Sequence, residues 1–182
     1  MRLSPYQTAM LLVDVQERLF GHIEGHEEIE KHLLVLLQGL QTLNIPILCN
    51  QQYTKGLGAT IPRVRTLLGE TTIYEKRTFS CCQNGDVMDA LKALHVTCVM
   101  VAGVESHVCV LQSVLDLLEA GFEVIVCADA IGSRTIKDHE IALLRMTQEG
   151  ARIGSVESLL FELLQSADHP QFKEISHLVK ML

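Results

Sequence analysis

One pattern constrains this chain more than any other: short β-branched apolar runs alternate with longer stretches of helical spacing. The runs cover residues 9–13, 46–50, 71–75, 97–102 and 122–128, with a weaker one at 151–153. Between them, residues 27–43 place Ile29, Leu33, Leu36, Leu37 and Leu40 on one helical face. Residues 86–94 do the same with Val87, Leu91 and Leu94, and 106–120 with Val110, Val114, Leu117 and Leu118. Residues 137–149 and 155–165 continue the series. Gly121 and Asn44 read as helix stops. Strands that are apolar throughout are buried on both faces, and their alternation with helices predicts a mainly parallel sheet with helices on either side. The exception is 51–61, a stretch with Gly56 and Gly58 that reads as an irregular, functional loop. At the end of the chain, 170–182 puts Phe172, Ile175, Leu178, Val179 and Leu182 near one face. We read this as a helix docked on its own domain, with an arm gripping a second subunit as the alternative.

Length and charge narrow the function. With 182 residues and 48% apolar content the chain suits one domain, 1–182, with a core of its own. Its 22 acidic against 15 basic residues, net −7, argue against nucleic acid and against an anionic membrane surface. No run approaches the ~20 apolar residues of a membrane span. The first residues lack a signal-peptide pattern. Six cysteines without such a signal read as reduced thiols, and the expected compartment is the cytoplasm.

In open α/β sheets ligands bind beyond the carboxyl ends of the strands, so the residues there carry the chemistry. The first strand ends at Asp14 and the third at Lys76. The fourth runs into Gly103-Val104-Glu105-Ser106-His107-Val108-Cys109, which sets Cys109 in the first turns of a helix. A carboxylate, an ammonium and a thiol thus fall on one rim. A helix N-terminus and a cation both favour thiolate, and Asp14 is placed to take the thiol proton as general base and return it as general acid. Backbone N–H groups of Glu105 and Cys109 suit an oxyanion hole. Taken singly, each residue has a plainer reading: Asp14 as a helix cap, Lys76 as a solvated charge, Cys109 as packing.

These same segments carry a resemblance. Leu11-Leu12-Val13-Asp14-Val15-Gln16, Lys76-Arg77 and Gly103–Val110, together with Gln51-Gln52-Tyr53-Thr54-Lys55-Gly56-Leu57-Gly58, resemble the isochorismatase-like cysteine hydrolase superfamily and its isochorismatase domain-containing branch. The resemblance implies a three-layer α/β/α, Rossmann-like fold with a six-stranded, mainly parallel sheet. It implies an Asp-Lys-Cys triad at Asp14, Lys76 and Cys109. It also implies a cis peptide at Val104–Glu105 shaping the oxyanion hole.

Departures from family patterns sharpen the expectation. Where related nicotinamidases carry metal-binding Asp and His, this chain has Asn50-Gln51-Gln52-Tyr53, so no metal or other cofactor is expected. His22 and His26 lack an evident third ligand. Cys109, absent from isochorismatases proper, points to attack on a C–N bond of a small amide or ureido substrate through a thioester. Gln16, Phe20, Tyr53 and His107 are candidate substrate contacts, with core packing the rival for Phe20 and polar satisfaction of its turn the rival for His107. Asp129 is expected to tie rim loops together. No G-x-G-x-x-G follows the first strand, and no G-x-S-x-G elbow occurs. A homo-oligomer is expected. The rival readings are a catalytically silent oligomeric scaffold and a thiol redox sensor with Cys81 or Cys82 as partner.

Overall fold

The computed structural model describes residues 2–182. Six strands form one all-parallel sheet: β1 (Thr8–Val13), β2 (Ile47–Gln52), β3 (Ile73–Lys76), β4 (Cys98–Val104), β5 (Glu123–Gly132) and β6 (Arg152–Gly154). Their order is β3-β2-β1-β4-β5-β6. The chain starts at the centre, winds outward to one edge, and returns across β1 to build the other half. The switch point lies between β1 and β4, where a ligand is expected.

The longer helices are α2 (His26–Thr42), α5 (Gly85–Ala93), α6 (Leu111–Glu119), α7 (Ile136–Gln148), α8 (Val156–Leu164) and α9 (Phe172–Val179). The short ones are α1 (Glu17–Phe20), α3 (Thr54–Leu57) and α4 (Pro62–Leu68). Helices α2, α4, α8 and α9 pack together on one face, and α5, α6 and α7 cover the other. The core follows from this double cover: all of β1 and β4 is buried, as their unbroken apolar sequences require. Asn44, at φ 57°, and Gly121, at φ 88°, take the left-handed turns that end α2 and α6, as the sequence predicts.

The structure revises several boundaries. The expected loop 51–61 is largely ordered. Gln51 and Gln52 extend β2, pairing with Glu75 and Lys76, and α3 follows at once. Helix α4 escapes sequence reading because only Val64 and Leu68 of its seven residues are buried. Strand β5 runs four residues past the expected end, through Asp129 to Gly132, because the β4–β5 register shifts between Val101 and Gly103 and pairing resumes at Ile131. Helix α9 docks on α2 and α8 of its own chain, burying Ile175, Leu178 and Val179. Lys31 Nζ donates to the Leu182 carbonyl at 2.8 Å, which ties the end of the chain to α2.

Candidate active site

Two features of the central strands make the site. Asp14 leaves β1 at φ 50°, a left-handed turn that Asp tolerates, and its N–H donates to the Asn50 carbonyl at 3.2 Å. Beside it, Gly103 lies at φ 111°, where a Cβ would stand 2.0 Å from the Val13 carbonyl oxygen. Only glycine lets β4 come this close to β1 just below Asp14.

Asp14 and Lys76, far apart in sequence, meet on this rim. Lys76 Nζ donates to Asp14 Oδ2 at 2.7 Å, with both side chains wholly buried. The ammonium also donates to Gln52 Oε1 at 2.7 Å and to the Thr78 carbonyl at 3.3 Å, which occupies its three donors. Asp14 Oδ1 is buried with no hydrogen-bond partner among the described residues. The buried Cys109 thiol completes the group, interacting with both the carboxylate and the ammonium. The structure therefore brings together the three residues that the strand ends single out.

The electrostatics change one expectation. Burial raises the Asp14 carboxyl pKa, against the opposing pull of Lys76. Burial disfavours the Lys76 ammonium, yet the Asp14 charge, the two thiols Cys81 and Cys109 and the Asp14 hydrogen bond together outweigh it, and the lysine pKa rises. The Cys109 thiol is pushed up to about 12, by burial first and by the Asp14 charge second, with Lys76 opposing. Burial thus outweighs the Lys76 cation that sequence reading took to favour the thiolate.

Cys109 lies within a π-helical turn, Ser106–Val110, that leads into α6. The Val104–Glu105 peptide before it is cis, as the resemblance implies. Three successive side chains clamp this turn to the segment that opens α7. Glu105 Oε1 accepts from Arg134 Nε at 2.8 Å, Ser106 Oγ meets His139 Nδ1 at 3.0 Å, and His107 Nδ1 meets Ser133 Oγ at 2.9 Å.

The other expected contacts divide. Gln16 is buried, and its amide straps the 52–58 segment: Nε2 donates to the Gln52 and Gly58 carbonyls at 3.0 and 2.7 Å, and Oε1 accepts from Gln52 N–H at 2.7 Å. That structural use replaces the expected substrate contact. Phe20 is core, 3% exposed, edge-on to His26. Tyr53 stands at the rim with the Arg77 guanidinium 4.0 Å above its ring, and its N–H donates to the Lys76 carbonyl at 3.0 Å. His107 is half-buried in the clamp. Asp129 ties down the β6–α8 turn, its two oxygens accepting the Val156 N–H at 2.9 and 3.1 Å.

Sequence reading missed the roles of three residues here, Gln52, Asn50 and Ser113. Gln52 supplies an acceptor to Lys76; its register partner on β3 is Lys76 itself, a signal visible only once pairing is known. Asn50 carries both amide atoms buried without a partner among the described residues. Cys49 and Gln51 on either side of it both reach Thr60 Oγ1 on one face of β2, so Asn50 belongs to the opposite face, with Gln52. Ser113 and Cys81 pack beneath Cys109: Ser113 Oγ donates to the Cys109 carbonyl at 2.7 Å and accepts from the Cys81 N–H at 2.9 Å. Among the described residues, no group of three or more His, Cys, Asp or Glu side chains has an arrangement that could hold a metal ion. No helix among them is long and apolar enough to cross a membrane.

Comparison with known proteins agrees with this architecture. The family model described as Isochorismatase domain matches residues 8–158. Isochorismatase family protein 1B of Dictyostelium discoideum is 36% identical over 184 residues, covering 98% of this chain and 89% of that protein. The structure of the MAR1 ribonuclease from Caenorhabditis elegans superposes with a TM-score of 0.94 at 37% identity, covering 99% of this chain and 93% of that one. The YcaC gene product of Escherichia coli, an octameric hydrolase of unknown specificity, superposes with a TM-score of 0.90 at 25% identity, covering 100% of this chain and 89% of that one.

Proposed function

Because the chain belongs to the isochorismatase family, its domain model spanning most of the sequence, we propose that it is a metal-independent cysteine hydrolase cleaving a C–N bond of a small amide or ureido substrate. The observation that carries this reading is the state of Asp14. One oxygen is fixed by Lys76 at 2.7 Å, and the other is buried, unpartnered and part of a carboxylate that interacts with the Cys109 thiol. A carboxylate with one oxygen anchored and one vacant in hydrogen bonding is poised to accept a proton.

The reaction follows in four moves. Cys109 Sγ attacks the substrate carbonyl carbon as its proton passes to Asp14. The tetrahedral oxyanion is met by the backbone N–H groups of Glu105 and Cys109. Asp14 returns the proton to the departing amine, leaving a thioester on Cys109. Asp14 then takes a proton from water as its oxygen attacks the thioester carbon, the C–S bond breaks, and Asp14 gives the proton to Cys109 Sγ, which restores the thiol and releases the acid. Lys76 orients Asp14 and favours its ionised form between proton transfers. Tyr53 and His107 border the entry and contact the substrate.

The assay is a screen of small amides and ureides with wild-type protein and Cys109→Ala. Expected is turnover in the wild type alone, with an acyl adduct on Cys109 seen by mass spectrometry on rapid quenching. Turnover that survives Cys109→Ala would refute the reading.

A second reading, cleavage of RNA, has the likeness to the Caenorhabditis elegans structure in its favour. The net charge of −7 speaks against it, since RNA phosphates demand basic surface. Adding an RNA oligonucleotide to the same screen decides between them. We further propose that the chain works as one domain in a homo-oligomer, as the octameric Escherichia coli neighbour suggests, and in the cytoplasm, whose reducing conditions suit six free cysteines.

A further inference from the structure

Cys81 is a buried thiol for which the hydrolytic mechanism has no use. It opens a short 3-10 turn, Cys81–Gln83, between β3 and α5. Like Cys109, it interacts electrostatically with both Asp14 and Lys76. Two thiols thus lie within electrostatic reach of one carboxylate–ammonium pair. Their backbones are also joined through one hydroxyl, Ser113 Oγ, which accepts from the Cys81 N–H at 2.9 Å and donates to the Cys109 carbonyl at 2.7 Å. The neighbouring Cys82 is placed differently. Its Sγ donates to the Ser113 carbonyl at 3.6 Å, and its charged neighbour is Asp116. Cys49, Cys98 and Cys127 lie within β2, β4 and β5.

We infer that Cys81 is a resolving thiol for Cys109, so that a hydroperoxide converts the pair to an intrachain disulfide and silences the nucleophile. The inference rests on the reading of Cys109 as a nucleophile served by Asp14. In the first step Cys109 Sγ attacks one peroxide oxygen while its proton passes to Asp14. The O–O bond breaks, the leaving oxygen takes that proton, and Cys109 becomes a sulfenic acid. In the second step the Cys81 thiol gives its proton to Asp14 and attacks the Cys109 sulfur. The S–O bond breaks and water leaves with the proton. Each peroxide consumed is reduced by two electrons, supplied by the two thiols together. The bridge joins the 3-10 turn to the π-helical turn, both outside the hydrogen-bond ladder of the sheet, so forming it leaves the strands paired. A dithiol reductant reverses it.

The test is a non-reducing peptide map of protein treated with hydrogen peroxide and then blocked with N-ethylmaleimide. Expected is a peptide pair linked through Cys81 and Cys109, with loss of iodoacetamide labelling at Cys109 that dithiothreitol restores. In Cys81→Ser, Cys109 stops at a sulfenic acid that dimedone traps, and prolonged exposure makes the loss irreversible. In Cys82→Ser the bridge forms as in the wild type. A bridge from Cys109 to Cys82 or to a second chain overturns the inference. So does a sulfenic acid that persists in the wild type beside free Cys81. The wild-type map needs no variant to fold, and Cys81→Ala repeats the dimedone arm if the serine variant misfolds. If Cys109 forms no bridge yet amide turnover depends on it, this inference falls and the hydrolase stands. Absence of both bridge and turnover removes both.

Discussion

At the scale of single residues, the site is a balance between burial and pairing. Lys76 and Asp14 are each costly to bury, and each makes the other tolerable. Lys76→Met leaves the carboxylate unpaired and is expected to cost about 3–5 kcal/mol in urea denaturation. The double variant Asp14→Asn with Lys76→Met is expected to recover much of that loss, because it removes both charges. The raised lysine pKa fixes the sign of the pH response. Lys76 contributes full stability below the ordinary lysine pKa, and that contribution is lost as pH rises through the higher folded value. Asp14, also raised, binds its proton more readily folded than unfolded, so its protonation in acid favours the folded chain even as it neutralises the ion pair. Melting followed from pH 5 to 11 should show a smaller alkaline loss in the double variant than in the wild type, the remainder coming from buried cysteines whose raised pKa values act in the same direction. Gly103 is the second decisive residue. Gly103→Ala forces a Cβ onto the Val13 carbonyl and is expected to destabilise by about 3 kcal/mol or more, or to prevent folding.

At the scale of elements, the strand ends were legible and the strand lengths were not. Asp14, Lys76 and the turn to Cys109 could be read because buried parallel strands announce themselves as apolar runs, and their last residues are where the run breaks. The same rule failed for β2 and β5. Gln51, Gln52 and Asp129 look like loop residues, yet their backbones continue the ladder while their side chains serve the rim. Gln16 shows the other limit: a buried amide that straps a segment cannot be told in sequence from one that meets a substrate. Asp129 offers a clean control for this scale. Asp129→Ala removes the acceptor of the first N–H of α8 and is expected to cost about 1 kcal/mol, leaving alkylation of Cys109 unchanged.

At the scale of the whole molecule, one surface stands out. Ile136, Ile141 and Leu144 on α7 are 60%, 54% and 60% exposed, while Ala142 and Met146 of the same helix are buried. Helix α7 therefore carries an apolar stripe on each side. Sequence reading places 137–149 in the helical series without naming a buried face, because periodicity alone cannot say which stripe meets the sheet. The outward stripe lies on the helix whose N-terminal segment clamps the turn of Cys109. If the chain self-associates as proposed, a second copy is the natural cover for it. Light scattering of Ile141→Asp with Leu144→Asp is expected to show a smaller species than the wild type. An unchanged mass would place the interface elsewhere.

The central claim is that Cys109 rests as a thiol and is activated by Asp14. The most direct measurement is the rate of iodoacetamide alkylation at each cysteine between pH 6 and 11, in the wild type and in Asp14→Asn. For the wild type the account predicts a Cys109 rate that climbs into the alkaline range without levelling off near neutrality, since the thiol is pushed up to about 12. In Asp14→Asn, which removes the negative charge beside the sulfur, the profile should shift to lower pH while turnover falls by roughly 10²–10⁴-fold. A Cys109 rate that is already flat at neutral pH, or a profile unmoved by Asp14→Asn, would contradict it.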